Sequence, residues 1–244
     1  MKSQSTYSSG TSLLKAQVQG LLGSSLQLSF VGLPEKKAYA LWTSVSSELT
    51  AVDKVFNAGR ADSEVSLING SKVDIETSDT IKDALNLNEN YLILSKGYFD
   101  VHLGGENLDF GAFAKAYALD RIATLMKKGK VKDWFASFEG SVVSAHGHGP
   151  YGGCWTYTLN YPETDDEIKQ WELHDESLAF SGNGALVNPL NGKEIDLSGS
   201  LCAVKSKNPF EAKVIGMSVL LAPVGSRAEI ISSFAPAEVE YFSL

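Results

Sequence analysis

Cysteine is nearly absent: the 244 residues contain two, Cys154 and Cys202, without the paired spacing of a metal-binding motif. That argues against a zinc or iron–sulfur site and leaves room for one disulfide at most. Long apolar runs are missing as well, since no stretch approaches the roughly 20 continuous apolar residues of a membrane-spanning helix. Nor is there an excess of basic residues. With 21 Lys and Arg against 29 Asp and Glu, the net charge is -8, which weighs against nucleic acid or an anionic membrane surface as a partner. Seven prolines and 22 glycines are too few for a fibrous or disordered chain. No Walker A motif occurs, and "GNGALV" (182–187) lacks the third glycine of a dinucleotide-binding fingerprint.

What remains is an ordinary globular composition, 43% hydrophobic and 20% charged, long enough for one large domain or two small lobes. The N-terminal "MKSQSTYSSGTSLLKAQVQG" lacks the apolar core and cleavage site of a signal peptide, and it has no cysteine to carry a lipid. The expectation is a cytoplasmic chain or a mature form whose leader was removed.

Alternation predicts strands at 24–32, 133–147, 154–162, 200–206 and in the terminal "AEVEYFSL". The 133–147 and 154–162 stretches could pair as a hairpin, and a short strand is expected at Leu108–Phe110. Leu41, Val45, Leu49, Val52 and Phe56 recur at helical spacing. Ser78 and Asp79 can cap a second helix that ends near Gly97. Further helices are predicted around Lys115, ending at Gly129, over 209–222 and near 225–234. Residues 56–70 read as a loop, and 163–176 as an exposed polar excursion. Strands and helices mix without a βαβ rhythm, which predicts an α+β fold.

Few residues stand out as chemistry. The "HGHG" of 146–149, near Cys154, is a weak metal signal, because a closed site needs about four placed ligands. Ser12 and Lys15 form an S-x-x-K without partner motifs. The stretch "DFGAFAKAYALD" (109–120) is more informative. Asp109 and Gly111 lie where a helix N-terminus offers free N–H groups to an anion, and Lys115 adds a charge one turn later. Ala112, Ala114, Ala116 and Ala118 keep the surface low enough for a bulky partner. The other reading is a tightly packed helix with Lys115 in solvent.

"FNAGRADSEVSLIN", "SKGYFDVHLGG", "LDFGAFAKAYALD", "CWTYTLNYP", "SLAFSG" and "NPLNGKEI" follow one another in the chain. In that order they resemble the ApbE family of FAD:protein FMN transferases, whose members typically carry StYrpDSEiSrlN, S-x-G-x-FDpT, DlGGiAKGyavD, TSG, HiiDPrTG and ADalaTA segments. The resemblance runs from about Gly23 to the last strand. It implies a T-fold-like α+β unit of two lobes, with mixed or antiparallel sheets flanked by helices and FAD in the groove between them. Residues 1–22 would then be an extension to one domain spanning 23–244. It also implies Mg²⁺ beside the pyrophosphate, transfer of FMN to a Thr or Ser of a target protein, release of AMP, and an exported or periplasmic location if a leader was removed. Tyr98, Phe99 and Asp100 match FAD contacts of the FD segment, Asp109 and Lys115 match contacts around the AKG helix, and Leu22 and Leu186 match apolar contacts. Ala112 matches a position whose backbone carbonyl meets the metal.

The departures cluster on the parts that hold metal and reacting phosphate. Ala185 and Asn188 stand where the family has His and Asp in HiiDPrTG, and Lys213 and Met217 where ADalaTA has its metal-binding Asp and its Thr. Ser141, His102 and Gly59 replace a GGD aspartate, the Thr after FDp and an aromatic, and the insert before the AKG helix is missing. A lysine in place of a carboxylate ligand repels a divalent cation. These changes imply a member whose Mg²⁺-dependent transfer is weakened or lost, or a non-catalytic flavin-binding or interaction protein. A third reading is a protein that keeps only the fold, where His102, His146 and His148 make a metal conceivable. Lys213 could supply the charge of the ion, or point to solvent from a surface helix. Glu139 and Glu211 are candidate substitute carboxylates.

Overall fold

The computed structural model describes residues 2–70, 77–103, 105, 107–161 and 164–244. The end of the expected strand at 154–162 and the start of the expected excursion at 163–176, residues 162 and 163, lie outside these. Eight strands form one antiparallel sheet in the order β1 (Lys2–Ser8), β2 (Leu13–Leu21), β3 (Ser24–Val31), β4 (Trp134–Phe138), β5 (Val142–His146), β8 (Glu176–Gly182), β11 (Ser200–Ser206), β12 (Glu238–Ser243). Two separate hairpins join β6 (Trp155–Asn160) to β7 (Glu167–Leu173) and β9 (Ala185–Asn188) to β10 (Lys193–Asp196). The helices are α1 (Glu35–Phe56), α2 (Glu64–Gly70), α3 (Asp79–Leu94), α4 (Gly111–Lys128), α5 (Pro209–Leu221) and α6 (Val224–Ser232). This is the α+β architecture of antiparallel sheets flanked by helices.

The two halves of the sheet are built differently. In β2 and β3 buried and open positions alternate, so one face meets the helices and the other meets solvent. In β8 and β11 burial is nearly continuous. One face there packs under the helices through Ala179, Cys202 and Val204. The other packs through Leu178, Phe180 and Leu201 against Trp155, Trp171 and Leu173 of the β6–β7 hairpin. Residues expected as a polar excursion therefore form β7, because alternate apolar side chains on it cover the second face of the main sheet. β6 pairs with β7 rather than with β5, so the anticipated 133–162 hairpin is instead β4 with β5.

Other expectations are corrected by packing. Residues 2–21 are not an appendage to the fold, since β1 and β2 belong to the main sheet and Leu14, Val18 and Leu21 sit in the principal core. The expected loop at 56–70 includes α2, whose Val65 is buried. Leu108–Phe110 forms no strand.

The expected cap acts at α3, where the Ser78 side chain accepts from the Ile81 amide; α5 starts where its helix was expected, with Asn208 accepting from Phe210 and Glu211 and Pro209 opening the helix. At the end of α4 the left-handed residue is Lys130 (φ 57°), while Gly129 stays right-handed (φ -73°). The Val131 amide donates to Met126 O and the Lys130 amide to Lys127 O, the bond pair of a Schellman cap. A lysine in that conformation costs roughly 1–2 kcal/mol relative to glycine.

Candidate functional site

The N-terminus of α4 is held by backbone and carboxylate together. The Asp109 amide donates to Val101 O at 2.7 Å, joining Asp109 to the Asp100 segment. Asp109 Oδ1 accepts from the Gly111 amide at 2.7 Å, so this aspartate occupies one of the helix's free N–H groups. Ala112 lies in the first turn, partly exposed. Ala114, Ala116 and Ala118 are 1%, 0% and 0% exposed, and that overturns one expectation: these three clear space for packing of the helix on the core, not for a ligand. Lys115 is half-buried, and burial lowers its ammonium below the ordinary lysine range.

Next to it, Tyr98 is half-buried and Phe99 is a core residue, edge-on to Tyr91. Partial burial alone would raise the Asp100 carboxyl. The amide and ring of His102 and the side-chain amide of Asn88, each donating or facing Oδ1 at 3.0 Å, outweigh it and hold Asp100 below the usual carboxylate range. Asn88, which sequence reasoning missed, also accepts from the Val101 amide and so fixes this turn from α3. The β9–β10 hairpin reaches the same place: a Cβ on Gly97 would meet Leu190 at 2.7 Å. Glycine there admits the hairpin that carries Leu186, half-buried and paired with Ile195.

Leu22 and Gly23 form the β2–β3 turn with φ of 51° and 69°, both left-handed as in a type I′ hairpin. Leucine pays for that geometry through Asp53, a carboxylate 3% exposed on α1. Asp53 accepts from the Leu22 amide at 2.7 Å and from Asn57, and pairs with Arg60. The only hint in the sequence is an acid one residue from Val52 on the apolar side of α1.

Lys213 lies on α5, which is buried on nearly every side. Its ammonium donates to the Phe180 carbonyl of β8. Desolvation, then the nearby charge of Lys115, push it down to about 8 against a small opposing effect of Cys202. The solvent-pointing alternative is thereby corrected: Lys213 turns inward, onto the carbonyl of β8. Beside it, Ser181 is buried with its hydroxyl unpartnered among the described residues. Cys202 is buried and free, and burial first pushes its thiol to about 12.

The residues at the family's metal positions do not fit a divalent cation. An ammonium has three donors and no lone pair, Ala185 is exposed and aliphatic, and Asn188 Oδ1 accepts from the Leu190 amide within its own turn. Glu139 is exposed, and Glu211 is half-buried with its carboxyl raised by desolvation. Among the described residues, no group of three or more His, Cys, Asp or Glu side chains could hold a metal ion. The histidines named from sequence do not gather: His102 faces Asp100, whereas His146 and His148 join His174 near Asp175.

This architecture defines a class. The fold matches the flavin transferase ApbE from Vibrio cholerae with a TM-score of 0.76 at 15% identity, covering 93% of this chain and 92% of that one. It matches the flavinyl transferase ApbE of Pseudomonas stutzeri, apo form, with a TM-score of 0.70 at 18% identity, over 94% and 87% of the two chains. The ApbE protein of Thermotoga maritima gives a TM-score of 0.74 at 15% identity, over 97% and 93%. No curated protein matches the chain in sequence. The ApbE family model matches residues 102–234, and the chain belongs to the ApbE family. Asp109, Ala112, Lys115, Leu186 and Lys213 fall inside the matched segment, whereas Leu22, Tyr98, Phe99 and Asp100 precede it.

Proposed function

We propose that this chain binds FAD at the start of α4, with Lys115 and Lys213 meeting the pyrophosphate, and that its Mg²⁺-dependent FMN transfer is weakened or lost. One observation carries the reading: the ammonium of Lys213 turned onto the Phe180 carbonyl, on a helix that packs against the Lys115 helix, at the position that matches the family's metal-binding aspartate. Two partly buried like charges on facing helices repel, and a pyrophosphate between them would offset that repulsion. Asp109, Tyr98 and Asp100 would contact the dinucleotide from the turn that Val101 and Asn88 fix, with Leu22 and Leu186 as apolar contacts and Phe99 behind them. The Ala112 carbonyl loses its metal role along with the carboxylate.

Phosphoryl transfer depends on neutralising developing charge where the phosphate reacts. A fixed ammonium neutralises a bound pyrophosphate but cannot coordinate it and a third ligand at once as a divalent ion does. Binding would thus survive, and release of AMP and flavinylation of a Thr or Ser on a target protein would not. A non-catalytic flavin carrier or interaction protein is the functional class that results.

The test is calorimetric titration of flavin-free protein and of Lys213→Ala with FAD. The reading expects affinity for FAD to fall at least tenfold in the variant. Unchanged affinity would remove Lys213 from the site.

A further inference from the structure

The end of α4 away from Lys115 presents a second cationic cavity. Lys115 and Lys130 are 15 positions apart, about 20 Å along a helix, so this place is separate from the candidate flavin site. The cavity, about 650 Å³, is lined by Lys127, Lys130 and Lys132, by His146, and by Val131 and Trp134 among its apolar walls. Val131 and Trp134 are 7% and 5% exposed, whereas the three lysines are exposed. Among the described residues no Asp or Glu lines the cavity. In a chain of net charge -8, such a one-sided cleft focuses an attractive field for anions.

Three further observations indicate that the lysines are not occupied by the fold. Ion pairs among the described residues use Lys82, Lys96, Lys169 and Lys205, and none of these three. The carbonyls of Leu125, Met126 and Lys127 at the end of α4 accept from the backbone amides of Gly129, Val131 and Lys130, so the ammonium groups are not needed to cap these three. Lys130 stands in the left-handed position of that cap, where glycine costs least; a strained residue at a cavity rim points to use rather than to stability. On the opposite side of His146, Asp175 is engaged by the His146 ring at 2.9 Å and the Gly147 amide at 3.0 Å. Its charge is thereby committed within the loop.

We infer that this cavity binds a small phosphate monoester with an apolar body, the phosphate among Lys127, Lys130 and Lys132 and the apolar part against Val131 and Trp134. Three ammonium groups lining one cavity suit a compact dianion better than a single negative charge, and apolar walls with a few charged groups are the ordinary make-up of a small-ligand site.

Phenyl phosphate is a suitable probe of the full chain, with phenol and inorganic phosphate as comparisons, read by calorimetry and by the indole N–H resonances. Phenyl phosphate should bind at least tenfold more tightly than either comparison and shift the Trp134 indole. Lys130→Gly removes one ammonium and relieves the left-handed strain, so it should raise the melting temperature while lowering phenyl phosphate affinity at least fivefold. Lys132→Glu should lower that affinity at least tenfold and leave FAD affinity unchanged. Equal binding of phenol, unchanged affinity in both lysine variants, or loss of phenyl phosphate binding in Lys115→Met would each overturn the assignment. The phenyl phosphate results do not depend on whether FAD binds at the other end of α4.

Discussion

The segment 98–115 and the segment 185–217 meet in one region of the molecule, yet they have kept different things. On the proposed reading the first would keep Tyr98, Asp100, Asp109 and Lys115 as dinucleotide contacts, and the second would have Ala185, Asn188, Lys213 and Met217 where the resemblance to the family implies ligands and reacting-phosphate contacts. The first is organised by short bonds around carboxylates, with Asn88 and His102 on Asp100 and Gly111 on Asp109. The second is organised around a cation turned onto a carbonyl. Binding a dinucleotide and cleaving it call on separate groups, and a chain can lose the second set while the fold and the first set persist. That separation can be broken experimentally.

The largest effect is expected from Lys213→Asp, which puts back a carboxylate at the metal position. Without Mg²⁺ it should weaken FAD by about 100-fold or more, since a helpful charge becomes a repulsive one; added Mg²⁺ should recover part of the loss. Recovery would sharpen the contrast between the segments, and equal binding by wild type and variant would erase it.

Lys213→Met tests the same group through stability. The Lys213 ammonium titrates near 8 when folded against 10.5 as its ordinary value. Between those values the unfolded chain holds the extra proton, so wild-type stability should rise with pH across that window. Below about pH 8 the buried charge is a cost on the order of 3 kcal/mol, which an apolar side chain of similar length removes. Urea unfolding at pH 7 should therefore find the variant more stable than wild type, with the gap closing toward pH 10. FAD affinity should run the other way in wild type, falling as Lys213 loses its proton above pH 8.

Lys115→Met should lower FAD affinity about tenfold, the worth of one charge-assisted contact, with little change in unfolding. The smallest effect is expected from Asp109→Ala. Removing the acceptor of the Gly111 amide should destabilise the start of α4 by about 0.5–1 kcal/mol, measurable as a lower urea midpoint.

Much of the frame was legible in the sequence because local physics decides it. Helical spacing from Leu41 to Phe56, the Ser78 cap and the Asn208–Pro209 start all act within a few residues. What escaped depends on contacts distant in sequence. The β7 strand reads as polar until β8 and β11 offer it a second face to cover. Residues 13–21 look like an appendage until β3 pairs with them. Gly129 looks like the left-handed stop of α4, and only the bond from Val131 to Met126 moves that role to Lys130. In the candidate site, Lys115 and Asp109 stand out from the helix start, whereas Asp53 and Asn88 act through partners 31 and 13 residues away and carry little local signal. The alanines of α4 misled, because small residues serve close packing as readily as ligand clearance.

The most direct test of the central claim is titration of flavin-free protein with FAD, with and without Mg²⁺, followed by mass spectrometry of the nucleotides. The account predicts binding that is indifferent to Mg²⁺ and no release of AMP. Mg²⁺-dependent AMP release would contradict it, because other residues would then be holding the metal that Lys213 is argued to replace.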